Sequence, residues 1–87
     1  MKPPSDPVER LIFDALTSAG VEFRMGAPLD FFVPAWEVHI ECKAYYSPRA
    51  VEQLTRAHNV ILVQGRHAAG IMAALIRWNE CDLNTSA

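Results

Sequence analysis

The amino-acid sequence predicts a single α/β domain with the element order αβββαβα, in which helices flank a mixed four-stranded sheet. Apolar residues recur at helical spacing near both ends of the chain. Short apolar runs bounded by Gly, Pro or Asn lie between those segments and are typical of strands. The 87 residues leave room for one hydrophobic core, which we expect within residues 6–79, between loosely ordered termini.

The first helix is predicted from its boundary residues and its apolar spacing. Asp6 is a favourable N-cap, Pro7 suits the first helical position, and Gly20 is expected to end the helix. The positions between them that recur at intervals of three or four residues are Val8, Leu11, Ile12, Ala15, Leu16 and Ala19. We therefore expect one amphipathic helix with a single buried face.

Three short strands are predicted next, at residues 21–25, 29–33 and 37–43. Gly26-Ala27-Pro28 and Pro34-Ala35-Trp36 separate them, and such short connections favour an antiparallel meander.

The remaining predicted elements are a helix, a strand and a last helix. Ser47-Pro48 should open a helix that runs to about residue 57. The strand at residues 60–63 is apolar on both faces, which predicts an interior position covered by helices on each side. The last helix is expected at residues 67–79, and a helix between the third and fourth strands permits a parallel crossover.

Composition excludes several classes of protein. No apolar run approaches the roughly 20 residues of a membrane span, and no apolar stretch follows the single positive charge near the N-terminus. We expect a soluble, cytoplasmic protein with Cys42 and Cys81 reduced. The formal charge of −2 is unusual for a protein that binds nucleic acid, and a metal site would account for part of the acidity.

The polar face of the third predicted strand carries the chemistry. Side chains alternate along a strand, so Glu41 and Lys43 share a face, about 6 to 7 Å apart, while Cys42 faces the core. Asp30 lies on the preceding antiparallel strand and is expected to stand opposite. Two such carboxylates could share Mg²⁺ or Mn²⁺. Glu9 fits either a third carboxylate of this site or the acid of a capping box with Asp6.

These residues, in this order, resemble the PD-(D/E)XK nuclease superfamily, which includes restriction enzymes, Holliday-junction resolvases and VRR-NUC domains. The resemblance spans about residues 6–75. It implies a restriction-endonuclease-like core and a Mg²⁺-dependent endonuclease that cuts DNA, including branched DNA. It also implies catalytic roles for Glu9, Asp30, Glu41 and Lys43. One departure is that Leu29, not proline, precedes Asp30.

Further residues are candidates for contacts with DNA. Some members of the superfamily carry a glutamine in the helix after the lysine, and Gln53 matches that position, with Gln64 as a rival. Tyr45, Arg49 and Arg66 follow the catalytic strand, where stacking and phosphate contacts would be useful. Scattered arginines are equally typical of any small protein surface.

Other interpretations remain open at the level of sequence. A Glu-X-Lys pattern also occurs on ordinary strand faces as a surface ion pair. The fold could serve as a catalytically idle module that binds nucleic acid or a protein partner, for example as an inhibitor, or as a nuclease domain that needs another subunit. The last helix carries an apolar stripe that either completes the core or forms a homodimer interface. Its members are Ile71, Met72, Ala74, Leu75 and Trp78.

Overall fold

The structure is a computed structural model that describes residues 2–26, 29–44, 52, 54, 55 and 57–86, with residues 79–86 described by their backbone alone. Its helices and strands, in chain order, are α1 (Pro7–Ser18), β1 (Arg24–Met25), β2 (Phe31–Val33), β3 (Val38–Lys43), β4 (Val60–Gln64) and α2 (Gly65–Ser86). The predicted α/β fold with a mixed four-stranded sheet is confirmed.

Helix α1 begins and ends as its sequence predicts. The Asp6 carboxylate accepts hydrogen bonds from the backbone N–H groups of Val8 and Glu9, at 2.9 and 3.0 Å. These bonds satisfy two donors that have no partner within the helix. Gly20, just beyond the end of α1, has a φ of 70°, which glycine adopts without steric cost.

The sheet has the strand order β1-β2-β3-β4. The first three strands form the predicted antiparallel meander, and β4 pairs with β3 in parallel. In the described residues β4 therefore lies at the edge of the sheet, and the prediction of an interior strand is wrong. Ile61 is 38% exposed, so the apolar character of β4 does not reflect cover on both faces.

Several boundaries also differ from the sequence prediction. Strands β1 and β2 are shorter than the strands predicted at residues 21–25 and 29–33. A 3₁₀ turn over Pro34–Trp36 ends at Glu37, which has a φ of 52° in the left-handed region and so precedes the strand instead of starting it. Helix α2 starts at Gly65 and reaches Ser86, beyond the predicted span of residues 67–79. The backbone of residues 80–86 is therefore helical, although we expected a loosely ordered tail. The predicted helix at 47–57 falls largely on residues outside those described.

Helices α1 and α2 pack against each other and against the sheet, around one core. The largest fully buried side chains are Phe31, Ile12, Leu16, Ile40, Ile76 and Val33. Strand β3 contributes Ile40 and Cys42 to this core, as the alternation predicts. Within the described part of the chain, no helix has both the length and the apolar character needed to cross a membrane.

Candidate metal centre

Asp30, the residue just before β2, stands opposite Glu41 of β3. The register pairs Phe31 with Ile40, and continuing it by one residue brings Asp30 against Glu41. The Asp30 backbone N–H donates to Glu41 Oε1 at 3.2 Å, and the Cys42 backbone N–H donates to Asp30 Oδ2 at 2.8 Å. Each carboxylate is thus held by a backbone amide of the other strand, which restricts its rotamers.

Glu41 is the only buried charged residue among those described, with 4% of its surface exposed. Burial raises the pKa of the Glu41 carboxyl above its ordinary value, and hydrogen bonding to Asp30 and the charge of Asp30 raise it further. Lys43 opposes this shift, because its Nζ lies 3.7 Å from Glu41 Oε2. A buried carboxylate with so little cationic compensation is costly to stability and is typical of a functional site.

Glu9 adds a third carboxylate from the first turn of α1, and we call Glu9, Asp30 and Glu41 the acid cluster. Burial raises the pKa of its carboxyl from 4.5 to about 7, and the charge and hydrogen bonding of Asp30 also contribute. Among the described residues, the Asp6 amide makes no hydrogen bond to the Glu9 side chain. The reciprocal bond of a capping box is therefore missing. Glu9 therefore makes no capping-box bond, and its carboxyl interacts electrostatically with Asp30.

Lys43 lies at the end of β3, with 31% of its side chain exposed. In the parallel register it stands beside Gln64, the last residue of β4. Gln64, which the sequence offered as a rival to Gln53, is therefore placed next to the lysine. Gln53 itself lies outside the described residues, as do Tyr45 and Arg49.

A cleft of about 570 Å³ is lined by residues that neighbour the cluster in sequence and by the second residue of α2. Its lining residues are Asp6, Pro7 and Val8, just before Glu9, then Ala44, just after Lys43, and Arg66. Arg66 is exposed and supplies positive charge to this cleft. Of the proposed DNA contacts Tyr45, Arg49, Gln53 and Arg66, it is the one that lies within the described residues, and it lines this cleft.

The carboxylate oxygens are ligands that suit a hard divalent cation, although they do not form a complete coordination site. In the described ranges, no three His, Cys, Asp or Glu side chains are gathered as a ready metal site. Burial, and after it the charge of Asp30, nevertheless raises the pKa of both Glu9 and Glu41, and a cation would offset the cost of holding these carboxylates charged. Mg²⁺ commonly uses one or two carboxylates and retains several waters, so Asp30 and Glu41 suffice for a first attachment.

Two neighbours of the cluster have limited chemical roles. Cys42 is a free, buried thiol whose pKa is raised by burial and by the nearby carboxylates, which makes it a poor nucleophile. Its contribution is the backbone amide that holds Asp30, which side-chain patterns did not reveal. His39 packs on Phe32, with ring centroids 4.6 Å apart, and its buried Nδ1 makes no hydrogen bond within the described residues.

Comparison with known proteins leaves the family undetermined. No protein-family model matches the sequence, and neither the curated proteins nor the solved structures contain a significant match to the chain.

Proposed function

We propose that this protein is a Mg²⁺- or Mn²⁺-dependent endonuclease that hydrolyses phosphodiester bonds in DNA, with the acid cluster as its active site. The observation that carries the proposal is the mutual anchoring of Asp30 and Glu41 by backbone amides, with Lys43 beside Glu41. The order of Glu9, Asp30, Glu41 and Lys43 on a mixed sheet supports a restriction-endonuclease-like core.

The roles of the side chains follow from what phosphodiester hydrolysis requires. Asp30 and Glu41 would hold the cation, and Glu9 would complete the carboxylate set. When bound, the cation neutralises phosphate charge and makes a coordinated water more acidic. Lys43 presents an ammonium beside Glu41, where it can donate a hydrogen bond to the attacking water or to a phosphate oxygen. Arg66 would contact the phosphate backbone across the cleft.

The proposal predicts cleavage that depends on Lys43. Purified protein would be incubated with four-way-junction, flap and duplex DNA in the presence of Mg²⁺ or Mn²⁺. The matched control for Lys43→Ala is Lys2→Ala, because Lys2 is the only other lysine and lies in the exposed N-terminal segment. We expect cleavage by the wild type and by Lys2→Ala, but not by Lys43→Ala. No cleavage by the wild type, or unchanged cleavage by Lys43→Ala, would refute the proposal.

The net charge of −2 and the exposed apolar face of α2 favour a second candidate, a catalytically idle module that binds a protein or nucleic acid. The two functions differ in metal binding. A Mn²⁺ site that is lost in Asp30→Ala and Glu41→Ala supports the enzyme, whereas partner binding without any metal site supports the module. If metal binds but the chain alone does not cut, a nuclease domain that requires another subunit becomes the better description.

A further inference from the structure

An apolar hollow lies away from the acid cluster, between α2 and the sheet edge. It has a volume of about 350 Å³ and is lined by Trp36, Ile61, Met72, Leu75, Ile76 and Trp78. Three of these side chains are exposed large hydrophobic groups: Ile61 at 38%, Leu75 at 51% and Trp78 at 67%. Ile71, one helical turn before Leu75, is 52% exposed and extends the same face. We call these four exposed residues the α2/β4 face.

The α2/β4 face has the composition of the centre of an interface. Four half-exposed large side chains present on the order of 400 Å² of apolar surface, which is the scale of a patch that often has a function. A standard interface buries about 800 Å² on each partner, so these four side chains would supply about half of that area. Positions 71, 75 and 78 have the spacing by which helices pack side by side.

Charge indicates which kind of partner fits. Among the described residues, those that line the hollow include neither Lys nor Arg, so they offer nothing to neutralise phosphates and do not suit DNA. An uncharged apolar face does not repel a second copy of itself. Burial of this face would also add core to a chain whose size alone supports only modest stability.

Shape favours a second copy over other proteins. Trp78 projects from the same face that contains the hollow, and a hollow of about 350 Å³ has room for an indole ring. In a two-fold dimer, any contact from one residue to another is repeated in reverse. The Trp78 of one copy can therefore enter the hollow of the other while the second Trp78 does the same.

Strand β4 adds main-chain complementarity to this arrangement. In the described sheet it pairs with β3 alone, and the His39 N–H donates to the Asn59 carbonyl at 2.9 Å. In a parallel ladder with this register, the backbone groups of Val60, Leu62 and Gln64 point away from β3. An open edge of this kind is a template for pairing with another chain.

We propose that the α2/β4 face is a homodimer interface, in which Trp78 of each copy fills the hollow between α2 and β4 of the other. This inference does not depend on the proposed nuclease activity. Its residues lie outside the acid cluster, so either proposal can fail while the other survives.

Sedimentation equilibrium of the full chain, from about 1 to 100 µM, tests the interface. We expect the wild type to approach twice the 9.7 kDa chain mass. Trp78→Ser and Leu75→Ser should each weaken dimerisation at least about tenfold, as central interface residues do. Leu11→Ser, at a 36% exposed leucine on α1, is the matched control and should leave the dimer intact. Circular dichroism verifies that each variant is folded.

A second readout is the tryptophan fluorescence of the wild type, because both of its tryptophans, Trp36 and Trp78, line the hollow. Dilution should shift the emission to the red as Trp78 leaves the hollow of the other copy and both indoles meet water. A monomeric wild type throughout the range, or dimers that both Trp78→Ser and Leu75→Ser retain, would overturn the proposal. Emission that does not change while the dimer dissociates would place the interface elsewhere and overturn it equally.

Discussion

The carboxylate of Glu41 accepts a hydrogen bond from the Asp30 amide, while the carboxylate of Asp30 accepts one from the amide that follows Glu41. This exchange fixes two acids against each other at the point where β2 and β3 begin to pair. The arrangement stabilises the orientation of each side chain but brings two negative charges together. The cation proposed above would relieve that repulsion.

Replacement of Asp30 should separate its structural role from its charge. Asn retains an oxygen that can accept from the Cys42 amide, whereas Ala leaves that donor without its partner, at a cost of about 1 to 3 kcal/mol. We expect Asp30→Asn to match or exceed the wild-type free energy of unfolding without metal, and Asp30→Ala to fall below Asp30→Asn. Urea denaturation with a chelator present measures both. Equal stability of Asn and Ala would contradict the anchoring role.

The metal-free protein should become less stable as pH rises. The folded-state pKa of Glu9, about 7, lies above its ordinary value of 4.5. Below about pH 4.5 the Glu9 carboxyl is protonated in both the folded and the unfolded state, so it does not lower folding stability. Between that value and about pH 7 the unfolded state loses the proton first, so folding stability declines, and the loss is complete above the folded pKa. Glu41, whose pKa is also raised, acts in the same direction.

Glu9→Gln should reduce this pH dependence and raise the melting temperature near pH 8 when no metal is present. The control is Glu22→Gln, since Glu22 is exposed and lies outside the cluster. Thermal denaturation across the pH range provides the measurement. A Glu9→Gln curve parallel to the wild type would show that Glu9 does not share the electrostatics of the site.

Lys43→Met should lower kcat without preventing metal binding. Removing a charged donor from the transition state commonly costs about 100- to 1000-fold in rate. Because an ammonium repels a cation, Mn²⁺ affinity should be unchanged or higher in this variant. Single-turnover cleavage and metal titration, performed on the same preparation, distinguish the two effects. Parallel loss of both would indicate that Lys43 organises the site instead of acting on the substrate.

Core and surface leucines of α1 provide a test of the fold itself. Leu16 is fully buried and Leu11 is 36% exposed, although both lie on the same helix. We expect Leu16→Ala to cost about 2 to 5 kcal/mol of unfolding free energy, and Leu11→Ala to cost distinctly less. Chemical denaturation compares the two. Similar losses would mean that α1 packs through a different face.

Local signals allowed the sequence to predict α1 and the pairing of Asp30 with Glu41. The Asp6 cap, the helical spacing and the short turn between two strands act over a few residues, and each is readable without tertiary context. The burial of Glu41 was not predictable, because alternation assigns a face but does not reveal what covers it.

The position of β4, which was predicted wrongly, and the role of Glu9, which was left open, share a different cause. The two-sided apolar pattern of β4 predicted an interior strand, yet an edge strand beside an apolar helix face gives the same pattern. The capping-box pattern at Asp6 and Glu9 was also ambiguous, because Glu9 interacts electrostatically with Asp30, which is distant in sequence. Both outcomes depend on contacts between segments distant in sequence, which spacing alone does not encode.

Titration of Mn²⁺ into the protein at about pH 7.5 tests most directly whether the acid cluster binds a divalent cation. We expect saturable binding by the wild type and by Glu22→Gln, and loss of that binding in Glu41→Gln and Asp30→Asn. Absence of binding in the wild type, or binding that survives in both cluster variants, would contradict the proposed cation site.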